Sequence, residues 1–393
     1  MATHRNPLSL APGVEAIPFN RPFVTGREVS YVQTAINSGS WGGGGPFMGR
    51  CEAFLRDELG LGGALLTTSC THALELSALL LGIGPGDEVI VPSYTFVSTA
   101  NAFALRGATI RFADSCATNP NMDPAHVRSL VTERTRCIVA VHYAGVACDM
   151  DEIMQIAAER DIAVVEDAAQ AIGASHRGRP LGTIGRYGAI SFHSTKNISA
   201  GEGGALLVRS ADELRRAEEI REMGTNRSAF VRGEIDRYGW VRLGSSYVPS
   251  DLLAAVLLAQ LESLHDVQRL RLAVWRRYHD AFAGLEQAGR VQRPAIPEYA
   301  TNNAHMYYLI CASGDERDSL REHLRDRGVQ ATSHYTPLHN SQYQLTRGLV
   351  EPLPHADRYH ACLLRLPLFA ALGEESTLRV IAGVRSFYST RSG

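Results

Sequence analysis

The sequence has no block of like charges and no basic stripe. With 39 Lys and Arg against 41 Asp and Glu, its net charge is -2. That argues against a nucleic-acid or membrane-surface protein, although a few local arginines could still meet a nucleotide. No apolar run reaches the ~20 residues of a spanning helix. Residues 1–20 have no apolar core of the signal-peptide kind and read as a loose arm, so the expected location is the cytoplasm. The seven cysteines form no CxxC pair, and their odd number suits reduced thiols better than a disulfide framework. No histidines stand at metal-ligand spacing, since Pro337 breaks any helical pairing of His334 with His339. The glycine run Gly42–Gly45 lacks the Lys-Ser/Thr ending of a phosphate-binding P-loop. It is either a connector or a mobile loop that passes close to a ligand.

What is present is globular composition, 45% apolar and 20% charged over 393 residues, enough for two domains and a sizeable core. Short β-branched runs alternate with helical patterns. Strands are expected at 64–67, 88–92, 109–113, 137–141 and 162–166, with helices at 71–81, 97–105 and 150–160. Arg27–Ser38 reads as a further short helix. This is an α/β pattern with a largely parallel sheet, in which ligands gather at the carboxyl ends of strands.

The chain is organised around Gly188–Gly204, GAISFHSTKNISAGEGG. Two apolar runs, Ala189–Phe192 and Ala205–Val208, flank a turn that presents one amine, Lys196. Desolvation lowers a lysine pKa, and the neutral amine is the nucleophile in Schiff-base chemistry. Other strand ends supply matching groups. Ser69, Cys70 and Thr71 open a helix, where amides can bind an anion or Ser69 or Thr71 can simply cap. Tyr94 and Phe96 could stack on a flat ring or close the core. His142 could be a base or a hydrogen-bonded structural residue. Glu166 and Asp167 end an apolar strand, where a carboxylate is costly unless a cation meets it. Phosphate site, ring platform, strand-end carboxylate and amine together describe a site for pyridoxal 5'-phosphate.

The stretches VPSYTFVSTANAFALRGA, VHYAGVACDMDEI, VVEDAAQ, LGTIG, SFHSTKN, GEGGAL, REMGTNRSAF and GSSYVPSDLLAAVLLAQLE resemble the DegT/DnrJ/EryC1/StrS sugar-nucleotide aminotransferases from about residue 15 to about 390. They are most similar to the enzymes that make dTDP-4-amino-4,6-dideoxyhexoses. The resemblance implies the type I aspartate-aminotransferase fold. A large domain, residues 1–260, would hold a seven-stranded, mostly parallel sheet. A smaller C-terminal α/β domain would span 261–393. The resemblance also implies a homodimer with shared active sites.

By the same resemblance Lys196 is the Schiff-base lysine and Asp167 pairs with the pyridine nitrogen. Gln170 lies against the cofactor, Phe96 stacks on it, and Cys70, Thr71 and Ser191 bind its phosphate. Asn226 reaches the phosphate of the partner subunit. Arg227, Arg232 and Tyr247, on the arginine- and aromatic-bearing loop Thr225–Ser250, and His334 and Tyr335, on the HYTPLH segment, fall on the substrate side. The implied reaction takes an amino group from L-glutamate, with pyridoxamine phosphate as the intermediate carrier, and places it on C4 of a dTDP-4-keto-6-deoxyhexose. A dehydrating branch of the family has histidine at the lysine position, so Lys196 favours transamination. A 3-keto-sugar nucleotide aminotransferase, a pyridoxal-phosphate-dependent sugar dehydratase of the same fold and a non-catalytic cofactor-binding regulator remain as alternatives. Beyond the loop, helix is expected over Asp251–Leu285 with Asp251 as N-cap. Strands are expected at 306–311 and 329–333, and helices at 316–327 and 374–387.

Overall fold

A computed structural model describes residues 15–346 and 351–390. Its centre is a seven-stranded sheet of β1 (Gly63–Thr67), β2 (Glu88–Pro92), β3 (Thr109–Ala113), β4 (Thr135–Val141), β5 (Ala163–Asp167), β6 (Tyr187–Ser191) and β7 (Gly204–Val208), in the order β1-β7-β6-β5-β4-β2-β3. All neighbours are parallel except those of β7, which runs antiparallel to both β1 and β6. Helices cover both faces, so β1, β2 and β6 are buried throughout. The expected strands therefore appear within one or two residues of their predicted ends.

Three connecting helices went unread, at Pro46–Leu59, Pro124–Leu130 and Pro354–Cys362. Each begins with proline at its first turn, where the missing N–H costs nothing. The glycine run leads into the first of these. A Cβ on Gly45 would lie 2.2 Å from the Asp251 carboxyl carbon, and one on Gly43 would lie 2.0 Å from Val248. The run is thus a tightly packed connector. Asp251 is not the N-cap of its own helix. Ser250 is, accepting from Leu253 N, while the buried Asp251 carboxylate accepts from Phe47 N and Met48 N at the start of Pro46–Leu59.

The long helix expected over 251–285 is broken into Asp251–Leu261, Leu264–Ala281 and Ala283–Gln287. The first of these helices ends one residue past the expected domain division at 260/261. A second sheet of β8 (Val291–Gln292), β9 (Tyr307–Cys311) and β10 (Leu363–Leu366) is antiparallel and packs with helices Leu264–Ala281, Gly314–Arg325 and Glu374–Ser389 around its own core. The strand expected at 329–333 is not one. Val329 makes a single bridge to Ile17, and Thr332 another to Arg365. Of the expected loose arm, residues 1–14 lie outside the described residues, whereas Ile17 is buried and bonded to Gly328 and Gln330. All seven cysteines are free. Among the described residues no helix is long and apolar enough to cross a membrane.

Candidate active site

The carboxyl ends of β1, β4, β5 and β6 open into one cleft of about 910 Å³, closed on its far side by residues 330–335 and β10. It brings together Cys70, Thr71, Phe96, Asp167, Gln170, Ser191, Lys196, His334 and Tyr335. Asn226, Arg227, Arg232 and Tyr247 do not line it. Asn226 Oδ1 accepts from Gly239 N within its own loop, and Arg232 is held between Glu218 and Glu234. The Tyr247 hydroxyl donates to Glu75, 3.0 Å away.

Lys196 sits on the loop between β6 and β7, whose ends pair as Ser191 with Gly204. Desolvation in the cleft drives its pKa below the ordinary 10.5. Cys70 and Asp167 oppose the shift, and Arg365 adds to it. Burial pushes the neighbouring Cys70 thiol well up, so it stays protonated and does not compete with the amine.

The structure separates the two strand-end carboxylates. Glu166 is fully buried away from the cleft. Its Oε1 accepts from Ile184 N and Gly185 N at 2.6 and 2.7 Å, and its Oε2 from Gly182 N and His142 Nε2 at 2.8 and 2.9 Å. Burial alone would raise its pKa, but His142 and those amides outweigh it, and the carboxyl lies below the ordinary 4.5. The LGTIG stretch is therefore a cradle for Glu166. His142 is its structural partner: Nδ1 accepts from Cys148 N at 3.2 Å, which leaves the Nε2 proton for Glu166. Asp167, one residue on, faces the cleft. Its Oδ2 accepts from Thr99 Oγ1 at 2.7 Å and its Oδ1 from Ala169 N at 3.2 Å.

Gln170 is fixed at both ends, with Oε1 accepting from Ala144 N at 2.7 Å and Nε2 donating to the Tyr335 hydroxyl at 3.1 Å. Tyr94 is buried in the core, its hydroxyl donating to His334 O at 2.8 Å. Phe96 does not enter the core. It lines the cleft while 56% exposed, which leaves a ring face free for a flat partner. Tyr335 has φ 27°, a strained value for a non-glycine residue, and its ring stacks on His334 at 3.6 Å. The His334 imidazole, bonded to the Tyr143 hydroxyl, is kept neutral by burial and by Arg365 and Lys196.

At the opposite end Ser69 accepts from His72 N, which leaves Cys70 and Thr71 in a first turn whose amides lack intrahelical acceptors. A Cβ on Gly204 would fall 2.4 Å from Cys70 N, so only glycine lets β7 pass beneath this turn. Anion-binding amides, an exposed ring face, a carboxylate and a desolvated amine on one cleft fit pyridoxal phosphate by donor chemistry.

Residues 23–385 match the model of the DegT/DnrJ/EryC1/StrS aminotransferase family. The chain belongs to it. The aminotransferase TlmJ from Streptoalloteichus hindustanus is 31% identical, with 96% of this chain and 100% of that one covered and a TM-score of 0.88. DesV from S. venezuelae, solved in complex with a ketimine intermediate, is 30% identical over 95% and 98%, TM-score 0.86. A putative sugar aminotransferase from Streptococcus pneumoniae, in its PLP form, is 27% identical over 95% and 99%, TM-score 0.88. The protein is a pyridoxal-phosphate-dependent sugar aminotransferase of fold type I.

Four residues of this aminotransferase site escaped the sequence reading. Thr99 orients Asp167, and Asn303 ties Gln170 O and Ile172 O to the loop before β9. His305, bonded to Asn197 Oδ1, lines the cleft, as does Arg365. Only Arg365 carried a signal, a charge inside the apolar run LLRLPLF.

Proposed function

We propose that the enzyme transfers the amino group of L-glutamate to C4 of a dTDP-linked 4-keto-6-deoxyhexose, releasing 2-oxoglutarate, and that it acts as a cytoplasmic homodimer. The observation that carries the aminotransfer chemistry is the convergence of Lys196, Asp167 and Gln170 on one cleft. The 4-keto dTDP-sugar and the donor rest on the sequence resemblance.

When bound, pyridoxal phosphate supplies an aldehyde for amine exchange and a ring that accepts electrons from a deprotonated α-carbon. The amides of Cys70 and Thr71 and the hydroxyl of Ser191 would bind the phosphate. Phe96 would cover the ring and Gln170 would abut it. Asp167, held by Thr99, would keep the ring nitrogen protonated. Lys196, as a neutral amine, would take the proton from the donor's α-carbon. His334 and Tyr335 bound the space left for the sugar.

The loop at Thr225–Ser250 supports the nucleotide and dimer parts of the reading. Arg232 and Arg242 are paired with glutamates, whereas Arg227 and Arg237 have no carboxylate within ion-pair range among the described residues. Arg227 is therefore the better diphosphate ligand of the two arginines expected there, and Arg232 would have to exchange its glutamates for phosphate. Phe230, Tyr238, Trp240, Val241 and Leu243 on the same loop are exposed, an apolar surface that suits a second subunit bringing Asn226 to the neighbouring site.

Incubation with L-glutamate and dTDP-4-keto-6-deoxyglucose should release 2-oxoglutarate and a 4-amino sugar nucleotide, identified by mass and NMR. Turnover of a 3-keto isomer alone, or loss of water without amination, would replace this reading with its rivals.

A further inference from the structure

His305 lies on the loop that leads into β9, 9% exposed and on the wall of the cleft. All its polar atoms but one are engaged by the protein. Its backbone N donates to Asn303 Oδ1 at 3.0 Å, and its carbonyl accepts from the buried Arg271 guanidinium at 2.7 Å. Its Nδ1 lies 3.0 Å from Asn197 Oδ1. The tautomer follows from the next bond along. Asn197 Nδ2 is 2.9 Å from Asn303 O, a carbonyl that can only accept. The Asn197 amide nitrogen therefore faces that carbonyl and its oxygen faces His305, so Nδ1 carries the imidazole proton. Nε2 is then a bare acceptor, and among the described residues no hydrogen bond reaches it. Burial, with Lys196, Arg271, His334 and Arg365 adding to it, holds the imidazole pKa well below the ordinary 6.5, so Nε2 stays unprotonated. A desolvated acceptor costs free energy until a donor meets it.

We propose that His305 is a specificity-determining residue for the sugar, its Nε2 accepting a hydrogen bond from the hydroxyl beside the keto carbon. The partner is a neutral O–H for an electrostatic reason. An ammonium group would meet the positive charges of Lys196, Arg271 and Arg365 that surround the imidazole, and a carboxylate offers no proton. Of the two substrates, glutamate carries only charged groups, whereas the hexose carries hydroxyls. Position selects among these. His305 is bonded to the residue that follows Lys196 and lines the same cleft, so it stands near the carbon that meets the lysine. In a 4-keto-6-deoxyhexose, C5 bears the ring oxygen and the methyl group, so C3 is the neighbour that bears a hydroxyl. The assignment rests on the 4-keto-sugar reading.

The test compares wild type with His305→Asn in both half-reactions. The aminated enzyme is mixed with the keto-sugar nucleotide or its 3-deoxy analogue, and the holoenzyme with L-glutamate. Asparagine keeps a donor near the Nδ1 position for Asn197 and places nothing at the Nε2 position. In wild type the 3-deoxy analogue should lose roughly ten- to a hundredfold in kcat/KM, the cost of a buried acceptor left unsatisfied. His305→Asn should lose about as much on the keto-sugar nucleotide but little more on the analogue, because the two deletions remove one and the same bond. Its reaction with L-glutamate should be affected far less. Additive losses in variant and analogue would overturn the proposal. So would a donor half-reaction as impaired as the sugar half-reaction, which would make His305 a support for the lysine loop alone. Nitrogen NMR of histidine-labelled wild-type holoenzyme reads the tautomer without any variant. It should show His305 protonated at Nδ1 only, and a proton on Nε2 would overturn the proposal even if His305→Asn does not fold. A wild type that aminates no 4-keto sugar would overturn the 4-keto reading and this proposal together, whereas an active wild type with additive losses overturns only the proposal.

Discussion

Replacing Glu166 with glutamine removes one acceptor oxygen from a group that accepts four hydrogen bonds in full burial. Each oxygen takes two of them, so whichever position the amide nitrogen occupies, two bonds are lost and two donors face it. At the Oε2 position the imidazole of His142 could turn acceptor toward it only by placing an Nδ1 proton against Cys148 N–H. Hydrogen bonds to a charged group contribute about 1.5–3 kcal/mol each, so the variant should lose about 3–6 kcal/mol. That is a large share of the ~5–15 kcal/mol that holds a typical domain folded. Urea unfolding at fixed protein concentration and pH 7 reads it directly. The pH dependence follows from the sign of the shift. The Glu166 pKa is lowered on folding, so its contribution is fully present above the ordinary 4.5 and is lost as pH falls through the folded value. The glutamine variant should lack that part of the acid sensitivity. A loss under ~1 kcal/mol, or an unchanged acid profile, would refute the claim that the LGTIG amides and His142 hold an ionised Glu166.

Lys196→Ala should fold and bind the cofactor non-covalently but lose at least ~1000-fold in turnover, combining the effects of a missing amine and a missing proton carrier; near-normal turnover would remove the lysine's assigned role. Gly204→Ala puts a methyl 2.4 Å from the Cys70 amide nitrogen, against backbone that cannot yield. Overpacking of that kind costs about 1–3 kcal/mol, and cofactor affinity measured by titration should fall by at least tenfold. Trapping of pyridoxal phosphate on the apoenzyme by borohydride should rise with pH and reach half its plateau below pH 10.5, because the lowered Lys196 pKa frees the neutral amine earlier. A half-point at or above that pH would contradict the desolvation argument.

The large sheet was legible because its strands are buried on both faces and read as short apolar runs bounded by polar, Gly or Pro residues, as at Glu88–Pro92 and Gly204–Val208. The small sheet was less legible. β8 has only two residues, and Val329–Ser333 has the composition of a strand but makes only isolated bridges. Composition reports what a segment can pair with, not whether a partner arrives. The helix expected over 251–285 breaks at Leu261–Leu264 without a proline or glycine to mark it. In the site, Lys196 and Asp167 were visible as polar groups ending apolar strands, the same logic by which Arg365 could have been found. Thr99, Asn303 and His305 were not visible, because their parts depend on neighbours brought from distant segments. Strand-end position alone left Glu166 and Asp167 undivided; the resemblance chose Asp167, and the fold gives the reason, with Glu166 meeting the amides of LGTIG and Asp167 the cleft.

The central claim is that this cleft holds pyridoxal phosphate on Lys196 and exchanges amino groups through it. The most direct test is the visible absorption of the purified protein before and after L-glutamate, with no sugar present. The account predicts a yellow protein whose band gives way to that of the aminated cofactor on adding glutamate. A colourless protein that takes up no added pyridoxal phosphate would contradict it.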